Sequence, residues 1–280
     1  MADFHGHLAL RAAARPDDGV TSLAAQSFRA PFHLSKPYWD ADTRTLLVQV
    51  VNPTAGILSG DRLESAVTVE AGAAVLLTTP SASRVFCMRA GAPAATSLQQ
   101  FAVAPAAWLE VLPEPLVPHR GSRFQQRTVL DVAPGGAAFY ADLLLPGRIA
   151  HGETWAWDRL VLELEVRSGA DLLLRERLDQ SADHLQALAT LAQAGDSASF
   201  GNAVFITPGL AADSAPPWRD ALHGLHTDGI WIGASPLRAG SAWSIKFVAP
   251  DPIRLRGTLA AIRRILAPFA PHLACDARKL

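Results

Sequence analysis

Seven carboxylates stand where the chain turns or runs extended: Asp61, Glu64, Glu110, Glu114, Asp142, Glu153 and Glu176. Glu110 and Asp142 interrupt the apolar runs AWLEVL and FYADLLL, and a carboxylate placed there must be paired, hydrated or bound to a cation to offset its burial. Oxygen donors around a wet interior suit a divalent ion that is held loosely and passed on, because thiolate and imidazole clusters hold such ions more tightly. Two of these carboxylates could instead serve as the acid and base of a glycoside hydrolase. Glu110 and Glu176 also read as solvent-facing members of alternating strands, and Asp61, beside Gly60, as a solvated turn former.

The short signals of other chemistries are missing. No Gly-x-x-x-x-Gly-Lys loop, Gly-x-Ser-x-Gly elbow, His-Glu-x-x-His or Cys-x-x-Cys occurs, so nucleotide hydrolysis, where the function calls for it, belongs to another chain. His223 and His226, on a short helix expected over 217–226, would share a face and offer two imidazoles to a metal; the plain alternative is an exposed helix. His5 and His7 fall in a segment expected to fray.

The formal net charge is -1, with 25 Lys and Arg against 26 Asp and Glu and no dense basic block. Neither nucleic acid nor an anionic membrane is therefore expected as a partner. Two cysteines, Cys87 and Cys275, are too few for a disulfide framework and fit a reducing cytoplasm. No apolar run approaches the roughly 18 residues of a membrane span, and no basic start leads into an apolar run, so a soluble, cytoplasmic protein is expected. Hydrophobic residues make up 49% of the chain, enough for a large core and for apolar surface left to a partner.

The elements that must hold the carboxylates read as short strands. Val67 and Val69 flank Thr68 with the two-residue period of a half-buried strand, and residues 73–79 are apolar nearly throughout, as in a strand covered on both faces. Three pieces look like versions of one another: GAAVLLTTP (72–80), PAAWLEVLP (105–113) and GAAFYADLLLP (136–146). Aligning Ala73, Ala106 and Ala137 gives steps of 33 and 31 residues. With strand-like returns over 97–103 and 124–132, this repeat predicts a mainly β fold: a single elongated domain over 1–280 of stacked or spiralling sheets, β-solenoid-like.

Two or three short helices are expected within it, one of them at the C-terminus. Leu185, Leu188 and Ala192 give an apolar face over 183–194. The clearest helix is the last, where Asp251 can cap, Pro252 suits the first turn, and Leu255, Leu259, Ile262 and Leu266 line one face. Strands at 229–233 and 242–248 are expected to be split by Ser235-Pro236 and Ala239-Gly240.

The stretch from Asn52 to Arg89 resembles the UreD (UreH) family of urease accessory proteins. It matches at Asn52-Pro53-Thr54, Gly56, Gly60-Asp61-Arg62, Thr78-Thr79, Ala82 and Arg84, and departs at Ala55, Ser59 and Phe86. The likeness continues with Glu110 and Glu114 in WLEVLPEP and with Gly147-Arg148 and His151 to Trp155, then thins toward Gly233, Ser235 and Leu237. The resemblance implies a non-catalytic accessory scaffold and nickel-insertion chaperone for urease maturation, whose partners are UreF, UreG and the urease structural subunits. GTP hydrolysis would belong to UreG. It implies transient nickel and no tightly bound cofactor, with Asp61, Ser83, Asp142 and Glu176 carried over as candidate residues lining the nickel path. A carbohydrate-active β-solenoid hydrolase and a structural β-scaffold without metal traffic are the alternatives.

Overall fold

Period-two burial runs along Arg62–Val69, where Leu63, Val67 and Val69 turn inward and Arg62, Glu64 and Thr68 outward, the signature of a strand with one packed face. The computed structural model describes residues 5–208, 217–227, 229–238 and 242–278. The chain opens with β1 (His5–Ala14), β2 (Thr21–Arg29), the short β3 (His33–Leu34) and β4 (Tyr38–Asp40), and β5 (Thr45–Val51). It then follows one path three times. The first turn is β6 (Arg62–Val69), β7 (Ala74–Thr78) and β8 (Ser83–Val85); the second is β9 (Ala95–Val103), β10 (Trp108–Leu112) and β11 (Leu116–Pro118). The third is β12 (Arg123–Val132), β13 (Ala137–Leu144) and β14 (Gly147–Arg148), which pairs with β15 (Glu153–Thr154). β16 (Arg159–Ser168) starts a fourth turn and folds back as β17 (Asp171–Gln180); α1 (Ala182–Leu191), β18 (Ser199–Ile206), α2 (Pro217–His223), β19 (Trp231–Pro236), β20 (Ala242–Ala249) and α3 (Pro252–Leu266) follow.

Successive turns stack in parallel. β6, β9, β12 and β16 form one sheet, β5, β7, β10 and β13 another, and β8 pairs with β11 on a short third side. Antiparallel strands finish both large sheets: β2 on β1, β17 on β16, and β18, β20 and β19 in series beyond β13. The fold is thus mainly β and solenoid-like, as the repeat predicts. The register departs from the sequence alignment, however, by one place at the first step and by two at the second, because Trp108 stands beside both Ala74 and Ala137. Ala106 belongs to the turn before the strand, at φ 56°.

Between the large sheets lies an apolar core that includes Leu8, Val67, Phe101 and Leu130 from one and Val75, Leu77, Leu109 and Tyr140 from the other. The opposite face of the second sheet carries Trp108, Phe139, Phe205, Trp243 and Phe247, and α3 covers it with Leu255, Leu259, Ile262 and Leu266. Burial of these four helix side chains stabilises by roughly 1.5–3 kcal/mol each. Asp251 caps the helix as expected, accepting the Ile253 and Arg254 amides at 2.8 Å.

This second covered face overturns one expectation. Glu110 does not face solvent: it is fully buried under α3, where Arg263 Nε meets its Oε1 at 2.6 Å and Arg263 also donates to the Cys275 carbonyl at 2.9 Å. Burial pushes the Glu110 carboxyl up to about 7 against the pull of Arg263. Other differences are local. Leu188 is 52% exposed because the buried stripe of α1 runs through Ala182, Leu185 and Ala189. His5 and His7 are paired in β1 with β2 and β6 on its flanks and are not a frayed end. β19 runs through Ser235 and Pro236, so no break occurs there; Ala239-Gly240 lies outside the described residues.

Arg263→Ala leaves a buried carboxylate without its partner and is expected to cost about 3–5 kcal/mol in urea unfolding, whereas Glu110→Met with Arg263→Met should recover most of that loss. A single variant as stable as the parent would show that the pair adds nothing.

Candidate functional site

Polar residues punctuate the inner faces of the two large sheets, and a cavity of about 660 Å³ opens where they do. Ser65, Ser97, Gln99 and Gln126 line it from the first sheet, Thr78, Asp142, Asn202 and Lys246 from the second, and Thr54, Ser83 and Arg84 from the third side. The turn that precedes β6 is shaped by Gly60 at φ 80° and by Gly56 at φ 151°, where an added Cβ would lie 2.5 Å from the Arg84 carbonyl oxygen. That close approach brings the matched Asn52 stretch against the Ser83 strand.

Asp142, Asn202 and Lys246 occupy one row. Asp142 pairs with Asn202 across β13 and β18, and Asn202 with Lys246 across β18 and β20, so their side chains share a face. From the facing sheet Glu176 reaches the same row, where Lys246 Nζ donates to its Oε2 and to Asn202 Oδ1, the latter at 3.0 Å. Glu176 therefore faces the cavity together with Leu178, in contrast to the outward Arg175 and Arg177, and is not the solvent-facing residue its sequence pattern predicts.

Tyr140, two residues before Asp142 on the same face, donates its hydroxyl proton to Asp142 Oδ2. Burial raises the Asp142 carboxyl to about 6; hydrogen bonds from Tyr140 and Gln126 and the charge of Lys246 oppose the rise, and Glu176 adds to it. Burial, followed by the neighbouring Asp142 charge, lifts Tyr140 well above its ordinary value. The row thus offers a carboxylate that exchanges protons near neutrality beside one held by an ammonium, all donors being oxygen.

The structure brings Ser83, Asp142 and Glu176 to one cavity and leaves Asp61 outside its lining. Asp61 is 3% exposed; its Oδ2 accepts the Leu58 amide at 2.8 Å and its carbonyl accepts the Thr96 amide at 2.8 Å. It is a buried turn former, not a solvated one. Of the other carboxylates, Glu114 also lines the cavity and pairs there with Arg256 of α3, whereas Glu153 pairs with Arg148 and Glu64 lies on the outer face of the first sheet. α2 ends at His223, leaving His226 outside the helix against Trp231, so one helix face does not carry both imidazoles. Among the described residues no three His, Cys, Asp or Glu side chains cluster as a metal centre, and no helix is long and apolar enough to cross a membrane.

Lys246, Asn202 and Gln126 escape the sequence reading. Lys246 and Asn202 share with Asp142 the mark of a polar residue inside a largely apolar strand, AWSIKFVA and SFGNAVFI, whereas Gln126, in the polar strand RFQQRTVLDV, carries no such mark.

Fold and cavity together define a β-solenoid protein with carboxylates facing an interior space. The chain belongs to the UreD family: the family model described as UreD urease accessory protein matches residues 5–279. It is 60% identical over 278 residues to a urease accessory protein UreD of Opitutus terrae, covering 99% of this chain and all of that one. To a urease accessory protein UreD of Yersinia enterocolitica it is 34% identical over 216 residues, covering 72% of this chain and 64% of the Yersinia protein.

Two of the candidate residues should separate in stability measurements. Asp61→Ala leaves a buried amide unpaired and is expected to cost about 1–3 kcal/mol. Asp142 behaves differently. Because its native pKa is raised, the native state holds a proton between the ordinary aspartate value and about 6 that the unfolded chain has released. Stability from this group is accordingly present at low pH and lost as pH rises across that window. Asp142→Asn should flatten the slope and unfold no earlier than the parent near neutral pH, checked by urea midpoints across that window and above it.

Proposed function

We propose that this protein is a non-catalytic scaffold of urease maturation that works with UreF, UreG and the urease structural subunits in the cytoplasm, and that nickel passes transiently along its cavity. The observation that carries this reading is the convergence of Asp142 and Glu176, from opposed sheets, on one cavity inside a chain of the UreD urease accessory family. Nickel is cargo, not a resident cofactor. Carboxylate, amide and hydroxyl oxygens without thiolate or clustered imidazole bind such an ion weakly enough to release it. Ser83 contributes a hydroxyl to the same lining. Nucleotide hydrolysis falls to UreG, since this sequence has no phosphate-binding loop.

Asp61 belongs to this proposal in a different capacity. It orders the turn between the Asn52 stretch and β6 and so supports the wall of the route from outside it.

Co-expression with urease and its accessory proteins tests the reading. Asp142→Ala is expected to lower the nickel content and activity of urease several-fold while the accessory complex still elutes intact on size exclusion. Asp61→Ala should reduce assembly and nickel content together. Unchanged nickel content in Asp142→Ala, with the complex intact, would remove the cavity from the route.

A further inference from the structure

We propose that Lys246 gates the cavity: its ammonium occupies the place that a divalent cation must take to reach Asp142, so that uptake is an exchange of one cation for another. This rests on the reading of the cavity as a metal route and adds to it the residue that controls entry.

The register places the gate. Lys246 stands in the same cross-strand row as Asn202 and Asp142 but at its outer end, on β20, and its side chain is 53% exposed. Asp142 lies inward, beside the fully buried Tyr140. A cation that enters along this row meets the ammonium before it meets Asp142.

The partners of that ammonium are the ligands a divalent ion would want. Nζ is held by Glu176 Oε2 and by Asn202 Oδ1 at 3.0 Å, acceptor oxygens on two different sheets. Lysine offers three donors and no acceptor, so it can neutralise Glu176 yet cannot ligate a metal while charged. Its charge also acts on Asp142, drawing that carboxyl toward ionisation. In the resting state one ammonium therefore satisfies the cluster that two carboxylates create.

Displacement needs no covalent change, only room. Opposite Lys246 on β19 stands Gly233, around which an added Cβ would find no atom within 4 Å. The lysine stem has open space beside it, and a half-exposed ammonium regains water when it leaves. Once it has swung away, Glu176 and Asn202 Oδ1 are released to serve as oxygen donors beside Asp142, which keeps its bond from Tyr140 on Oδ2, with water completing the coordination. When the metal moves on, the ammonium returns to Glu176.

The test is calorimetric titration of nickel chloride into the full-length protein, as parent, Lys246→Met, Lys246→Arg, Asp142→Asn and the double variant Lys246→Met with Asp142→Asn, with folding checked by circular dichroism. Lys246→Met is expected to bind the ion roughly tenfold tighter or more, the scale of removing a unit charge about 5 Å from a divalent one in water. Lys246→Arg should keep the parent affinity, and Asp142→Asn in the Lys246→Met background should lose the gain. If Lys246→Met does not fold, Lys246→Gln is read by the same criterion. Equal or weaker binding by Lys246→Met, with binding lost in Asp142→Asn, would overturn the gate and leave the route standing. Absence of binding in parent and variants alike, with urease nickel content indifferent to Asp142→Ala, would overturn both.

Discussion

Parallel stacking of one turn on the next is the constraint on which the rest depends. Each inner strand must satisfy its backbone donors and acceptors on two sides, and the matched registers of β6, β9, β12 and β16 and of β5, β7, β10 and β13 do so. Side chains of successive turns are thereby aligned in rows, so a polar residue in one turn lies beside its counterparts in the next. Rows of aliphatic side chains make the core, and polar positions such as Ser97, Gln99 and Gln126 make a hollow within it. Cavity and core are consequences of the same register.

Two buried carboxylates on neighbouring strands are treated in opposite ways. Glu110 faces the helix side, where a guanidinium at 2.6 Å, itself anchored to a second acceptor, holds the carboxyl in place; such an arrangement is rigid, and breaking it is expensive. Asp142 faces the hollow, where it has a hydroxyl, an amide and the distant charge of a lysine bound elsewhere. Its neutralisation is incomplete and reversible. The first arrangement joins α3 to the second sheet, and the second leaves a carboxylate available to a visiting ion.

What could be read from the sequence followed from how local the cause was. The strands, the capped helix over 252–266 and the repeat were legible because small-residue turns, alternation and terminating prolines are short-range signals. The register was not, because the adjacent alanines that recur in each repeat do not occupy the same places in the stack: Trp108, and neither Ala106 nor Ala107, stands beside Ala74 and Ala137. Glu110 was misplaced for the same kind of reason: alternation shows that a strand has two faces but not that a helix from the far end of the chain will cover the second. Asp142 was legible as a charge within an apolar run. Its neighbours Asn202 and Lys246 were not joined to it, since the antiparallel pairings that align them connect segments far apart in the chain.

The position of that row has a physical logic. Within the parallel turns, the neighbours of an inner residue come from the equivalent sites of adjacent turns, as Glu110 stands between Leu76 and Phe139. Beyond β13 the pairing becomes antiparallel, and the neighbours of Asp142 are drawn from unrelated sequence. That pairing sets Asn202 and Lys246 in one row with Asp142. The seam between the two modes of pairing is where carboxylate, amide and ammonium from three strands meet, and it coincides with the place where the cavity meets a half-exposed lysine.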